Sequence, residues 1–475
     1  MKKKPLVSIL IINYNGKKFL KDCLTSIDNV NFPRNEYEVI LVDNDSQDDS
    51  VSCVKKDFPW VKLVESKANL GFAEGNNLAY SKAVGEYIVL LNNDTVVDRN
   101  WLRSLVSTAK KNKNVGIVTS KLLFSTPFIE LDIISDTEIK VNIYPNSNSY
   151  KPLGLIVDNI SCSTKEKSQQ IWYKKGFYKK TKGNYSSRWT DGHGVVLLPF
   201  KGKESETYNI SLHGYPHVSN IKTKFQISTF GKIIVSDFLP SREVKQLNIT
   251  VKREDIKDDL IYLVQNAGSV VFKKGLGRDR GSVILRAKNG VKEFYDFDSS
   301  YYNHEEEVLA ACGASCLIKR EVIGEQIFDP AYFMYYEDVD LSLKVWRKGY
   351  TILYQPKSVV YHKHRATTDQ QPTSFFLANI EKNHLFLLLS HFPLHSFLIK
   401  FALFCLKYLY TKCMVLVFKK TNYYGQIYRV SLIKAEAYSS ALSKIRTNLW
   451  RMYQVRKNLQ KNQKKDMGQI YGKLY

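Results

Sequence analysis

The chain has 475 residues, 44% of them hydrophobic, with only 24 glycines and 13 prolines, which excludes the collagenous and disordered classes. Lys and Arg number 70 against 46 Asp and Glu, giving a formal charge of +24. A single core stops growing at about 250–300 residues, so two or more domains are expected.

The seven cysteines are scattered and form no CxxC pair, which argues against a disulfide framework and a thiolate zinc site and suits a reducing compartment. The basic start, Lys2–Lys4, precedes only seven apolar residues, Leu6–Ile12, too few for a secretory leader. With no unbroken run of 18 apolar residues, no membrane-spanning helix is expected. The chain reads as cytoplasmic.

In chain order, Val7–Ile12 is a β-branched run suited to a strand buried on both faces. Lys17–Ile27 has helical spacing, with Phe19, Leu20, Cys23, Leu24 and Ile27 on one side. Val39–Val42, Val61–Val64 and Tyr87–Leu91 follow as strands, separated by helices over Ser50–Phe58 and Ala73–Ala83. This alternation predicts a doubly wound, mostly parallel sheet, whose ligands sit beyond the carboxyl ends of the strands. Asn13-Tyr14-Asn15, Asp43-Asn44-Asp45 and Asn92-Asn93-Asp94 collect there.

Four segments are expected: an α/β half (1–125), a β-rich sandwich-like module (126–275), a second α/β part (276–372) and a basic helical region (373–475). Short β-rich runs such as Lys224–Ser228 and Leu247–Val251 carry the second, and Phe333–Gly349 is a loop followed by a helix in the third. From residue 371 onward there are 17 basic and 3 acidic residues, so more than half of the net charge lies in that tail. Aromatic and basic residues on amphipathic helices suit an anionic bilayer surface. A helical bundle with a solvated basic face, or a dimer interface, would read the same way.

Three clusters could carry chemistry. Asn92-Asn93-Asp94 ends a strand, where Asp and Asn are also routine turn formers. Glu337-Asp338-Val339-Asp340 follows four aromatics, Tyr332, Phe333, Tyr335 and Tyr336, and could equally be a helix start whose carboxylates offset the macrodipole. His362 follows an apolar strand-like run, and a lone histidine is more often structural.

Together with Val7–Asn15, Val42–Ser46, Asn69–Asn77, Cys312–Glu321 and Phe328–Leu341, these clusters stand at ordered spacings. Over residues 5–125 and 276–370 the sequence resembles the family-2 inverting glycosyltransferases of GT-A fold, and within them the rhamnosyltransferase- and galactofuranosyltransferase-like branch. The resemblance implies transfer of a sugar from a nucleotide diphospho-sugar, dTDP-rhamnose or a UDP-sugar, to a glycan or lipid-linked acceptor of a bacterial surface polysaccharide. It implies Asp338 as general base, Glu337 toward the acceptor sugar, and Asp94 and His362 as ligands of Mn2+ or Mg2+. Asn92 stands where many members have Asp and is assigned to the ribose or phosphate. Asp43 and Tyr14 match the base pocket, and Asn69, Gly71, Gly75 and Asn77 the segment over the diphosphate and sugar.

The expected setting is the inner face of the cell membrane, reached through the C-terminal helices. Two rivals remain: a non-catalytic carbohydrate- or lipid-binding protein that keeps the fold, and a nucleic-acid binder prompted by the +24 charge. The first needs a spoiled acidic centre, and Asp94, Asp338 and His362 are all present. The second needs a basic stripe on the core, whereas most of the charge sits in the tail, so no nucleic acid is expected.

Overall fold

A computed structural model describes residues 4–139, 150–162, 171–178, 188–201, 204–215, 220–256, 260–287, 290–363, 373–418 and 425–465, with 468, 470 and 473. The chain divides into two compact units, Met1–Ser125 with Val264–Tyr475, and Thr126–Leu263. Residues 264–275, grouped with the β-rich module in the sequence reading, belong to the first unit.

In the first unit, β1 (Val7–Asn13), α1 (Lys17–Asp28), β2 (Tyr37–Asp43), α2 (Ser50–Asp57), β3 (Lys62–Glu65), α3 (Gly71–Lys82) and β4 (Tyr87–Asn92) alternate as expected. β5 (Thr95–Val97), α4 (Trp101–Lys111) and β6 (Val115–Phe124) follow. After the second unit come β7 (Val264–Asn266), β8 (Glu306–Glu307), β9 (Ser315–Lys319), α5 (Glu337–Arg347) and β10 (Thr351–His362). The strand order is β8-β10-β6-β9-β4-β1-β2-β3, with β7 beside β6 and β5 beside β10. The β4-β1-β2-β3 portion is wholly parallel, and β9 enters antiparallel between β4 and β6.

Every residue of β2 is buried, which is why it reads as a continuous β-branched run. The core joins Ile9, Ile11, Val39 and Leu41 to Leu20, Leu24 and Ile27 of α1 and to Trp101, Leu102 and Leu105 of α4. Register places Asn13 beside Asp43, Ile12 beside Asn92, and Ser315 beside Leu91. His362 pairs with Thr95. The polar ends of six strands therefore share one edge.

The second unit is an eight-stranded antiparallel sheet around its own core, in which Ile129, Val196, Tyr208, Phe225 and Ile249 are buried. One half contains strands Phe128–Ser135, Arg188–Pro199, Lys222–Thr229 and Lys232–Pro240. The other contains Ile156–Cys162, Ser205–His213 and Val244–Lys252, joined to the first by Ile156 and Val157 against Trp189 and Arg188. Lys174 of the basic stretch pairs with Glu130, and residues 179–187 lie outside the described residues.

The tail forms α6 (Thr373–His391), α7 (Leu394–Phe418) and α8 (Gly425–Lys461). α6 is buried along most of its length. α7 buries a single stripe, Phe397, Phe404 and Thr411, spaced every seven residues. Leu398, Ile399, Leu406, Leu409 and Leu416 are all more than half exposed. The structure corrects one expectation here. α7 is long and apolar enough to cross a membrane, with only 11% of its most apolar stretch buried. Lysines broke the apolar run in the sequence, but two of them turn toward the protein, since Lys400 and Lys407 both pair with Glu381 of α6.

Candidate active site

Asp94 lies just beyond β4 and His362 ends β10. Both are buried, and His362 Nε2 stands 3.0 Å from Asp94 Oδ1. Gln265 of β7, also buried, presents its carbonyl oxygen 2.8 Å from His362 Nδ1. In this orientation Nδ1 donates, so the Nε2 lone pair faces the carboxylate. Two acceptors set that close require a shared proton or a cation between them. The Asn92 amide nitrogen lies 3.5 Å from the same Nε2. Among the described residues no group of three or more His, Cys, Asp and Glu is placed to hold a metal ion, so an ion here would take two protein ligands and complete its shell with other oxygens.

Asp338 stands in the first turn of α5 and is half-buried. Its Oδ2 accepts from the Gly313 N–H at 3.1 Å and its Oδ1 from its own neighbour Val339 N–H at 2.8 Å. The Ala314 carbonyl accepts from Asn92 N–H, so the chain that binds Asp338 is stitched directly to the end of β4. Burial raises the Asp338 pKa above the ordinary carboxylate range, and the Gly313 and Val339 N–H groups oppose that shift.

The two neighbouring acids differ. Glu337 is buried, its Oε2 has no hydrogen-bond partner among the described residues, and burial followed by the Asp338 charge pushes its pKa well up. Asp340 is no helix cap. It is buried against Lys344 (2.6 Å), His391 (2.8 Å) and the Tyr332 hydroxyl (3.2 Å). Burial favours its neutral form, yet the Lys344 and His391 contacts prevail and hold its pKa below the usual range.

The residues assigned to the donor divide in the same manner. Asp43 is buried, accepting from the Asn13 side chain (2.9 Å) and the Ser46 N–H (2.9 Å), while Asn93 donates to Asn13 (2.7 Å). Tyr14 is half-buried on the same edge, and Asn69 is exposed, accepting from Gly71 N–H (2.9 Å). Gly71 has φ +74°, and a Cβ there would lie 2.6 Å from the Phe333 ring, so only glycine fits. Phe333 O takes the N–H groups of Phe72 and Ala73 at the start of α3, so those amides are engaged by protein. Gly75 packs close to Ile12 and Asn44. Asn77 brackets the Phe328 backbone, donating to its carbonyl (2.9 Å) and accepting from its N–H (3.0 Å). Gly75 and Asn77 thus make these protein contacts from within the first two turns of α3. Gln265 is the member that sequence reasoning missed, since nothing in Val264–Asn266 marks it.

A family model described as glycosyl transferase family 2 matches residues 8–140. A poly(ribitol-phosphate) beta-glucosyltransferase of Bacillus spizizenii is 31% identical over 112 residues, 23% of this chain and 18% of the relative. An N-acetylglucosaminyl-diphospho-decaprenol L-rhamnosyltransferase of Mycobacterium tuberculosis is 34% identical over 84 residues, 17% of this chain and 27% of the relative. Among solved structures, Staphylococcus aureus TarS 1–349 is 24% identical with a TM-score of 0.23, over 24% of this chain and 35% of that one. The chain thus spans about a third or less of the length of each.

Proposed function

We propose that this chain is an inverting glycosyltransferase that moves a sugar from dTDP-rhamnose or a UDP-sugar to a glycan or polyprenyl-linked acceptor during bacterial surface polysaccharide synthesis. The observation that carries the reading is the Asp94–His362 pair, oriented by Gln265, on the edge where Gly313 binds Asp338. Poly(ribitol-phosphate) and diphospho-decaprenol, in the names of two relatives, support an acceptor of that kind.

In this reading Asp338 takes the proton of the acceptor hydroxyl as its oxygen attacks the anomeric carbon from the face opposite the diphosphate. Its raised pKa suits that task, because a carboxylate in the ordinary range is a weak base. The Gly313 N–H holds one carboxylate oxygen and leaves Asp338 a fixed direction. Glu337, whose burial favours the protonated form, leaves Asp338 as the charged member of the pair. Asp94 and His362 Nε2 would hold Mn2+ or Mg2+, which when bound neutralises charge on the departing diphosphate. Asp43 and Tyr14 receive the nucleotide base, and Asn69 and Asn92 the phosphate and sugar side. Gly71, Gly75 and Asn77, at the start of α3, belong to the segment over the diphosphate and sugar.

The protein works at the inner face of the membrane, where the exposed side of α7 meets the bilayer and the basic tail meets anionic headgroups. α7 extends about 37 Å at 1.5 Å per residue. The test is a donor screen: a panel of nucleotide sugars with lipid-linked acceptors, following released UDP or dTDP and the anomeric configuration of the product by NMR. One donor turned over with inversion is expected. Retention, or no turnover of any donor, overturns the reading.

A further inference from the structure

The backbone just before Asp338 is under strain. Phe333, Tyr335 and Tyr336 all have left-handed φ (63°, 72° and 67°), and none is glycine. Phe333, with ψ −62°, is the centre of a γ-turn of the rare positive-φ kind, closed by Met334 N–H to Tyr332 O at 2.8 Å. Each such conformation is sparsely populated for a non-glycine residue and persists only where its surroundings impose it.

Helix α6 imposes it. The Asn383 side-chain nitrogen, fully buried, faces three carbonyls of this turn and shares its two N–H groups among them: Tyr332 at 3.0 Å, Met334 at 2.7 Å and Tyr335 at 2.7 Å. Lys382 beside it donates to the carbonyls of Ala331 and Tyr332. An amide with its oxygen turned toward three carbonyl oxygens would be repelled, so the nitrogen must face them. The turn leads straight into α5, where Tyr336 O accepts from the Asp340 N–H, with Asp338 between the two.

We propose that Asn383 is a positioning residue for the transfer reaction, holding the 332–336 turn in the form that directs Asp338 toward Gly313. This rests on the reading of Asp338 as the base. An extended turn would release the start of α5 and leave Asp338 without its fixed direction, while the Asp94–His362 pair, oriented by Gln265 of β7, would stay intact.

The experiment compares Asn383→Asp, which keeps size but replaces the donors with oxygens, and Asn383→Ala with the control Asn379→Ala. Asn379 is buried one turn earlier on α6 and, among the described residues, donates only to Phe375 O of the same helix. The expected result is a kcat loss of tenfold or more in both Asn383 variants, with UDP affinity by calorimetry within threefold of the parent. Hydrogen exchange should quicken at the Met334 and Asp340 amides, and Asn379→Ala should show neither effect. A kcat within threefold of the parent in folded Asn383→Ala or Asn383→Asp, or an equal loss in Asn379→Ala, overturns the proposal. Parent protein that turns over no donor removes the enzymatic reading itself, whereas an active parent with indifferent Asn383 variants removes only the clamp.

Discussion

Replacing Gln265 with Leu removes the acceptor for the His362 Nδ1 proton while nearly keeping the side-chain volume. An unpaired buried N–H costs about 1–3 kcal/mol. The imidazole can escape that cost only by moving its proton to Nε2, where Asp94 Oδ1 waits at 3.0 Å. That proton shift works against a cation at Nε2, since it occupies the lone pair and binding must reverse it at up to that energy; an N–H left unpaired with and without the ion would cancel. At about 1.4 kcal/mol per tenfold, Mn2+ affinity should fall by roughly 5- to 150-fold, in line with the 10–100-fold typical of lost partners behind a histidine ligand. The assay is calorimetric titration of Mn2+ into the UDP-bound protein, with UDP binding in EDTA as control. Gln265→Glu, which still accepts from Nδ1, should retain metal affinity. Leu and parent proteins agreeing within twofold would refute the argument.

Asp338→Asn should reduce kcat by at least a thousandfold while UDP affinity stays within threefold, and lost nucleotide binding would remove Asp338 from the base role. Because burial raises the Asp338 pKa, the acid limb of the kcat–pH profile should lie above the ordinary carboxylate range. Glu337 holds its proton in the folded chain where the unfolded chain has lost it, so its contribution is present at low pH and fades as pH rises through the folded value. The melting-temperature advantage of Glu337→Gln over the parent should therefore grow between pH 5 and pH 8, and a pH-independent difference would contradict the assignment. A triple Leu398→Lys, Leu406→Lys, Leu409→Lys variant should stop sedimenting with vesicles containing anionic lipid, and unchanged sedimentation would show that α7 does not meet the bilayer.

The central sheet was legible because burial on both faces writes β-branched runs into β1, β2 and β4, and their ends carry the polar residues directly. Asp94 and His362, 268 positions apart, were paired only by the family resemblance, and the structure brings them within 3.0 Å. Gln265 was not legible, since a glutamine in a three-residue strand has no periodicity and its partner lies 97 positions away. Asn383 was hidden for the opposite reason: it sits inside a strongly apolar helix, where the signal came from its neighbours. The acidic triplet showed its chemistry but not its division of labour, because burial decides that Asp340 joins Lys344 and His391 while Asp338 stays half open. In α7 the lysines concealed an apolar helix, as one sequence position cannot show that Lys400 turns toward Glu381.

The most direct measurement is an anomalous difference map from crystals grown with Mn2+ and UDP. The expected result is a peak between Asp94 and His362 Nε2, adjoining the nucleotide diphosphate, with Asp338 facing the same cavity. A nucleotide bound elsewhere, or an ion that avoids both side chains, would contradict the account.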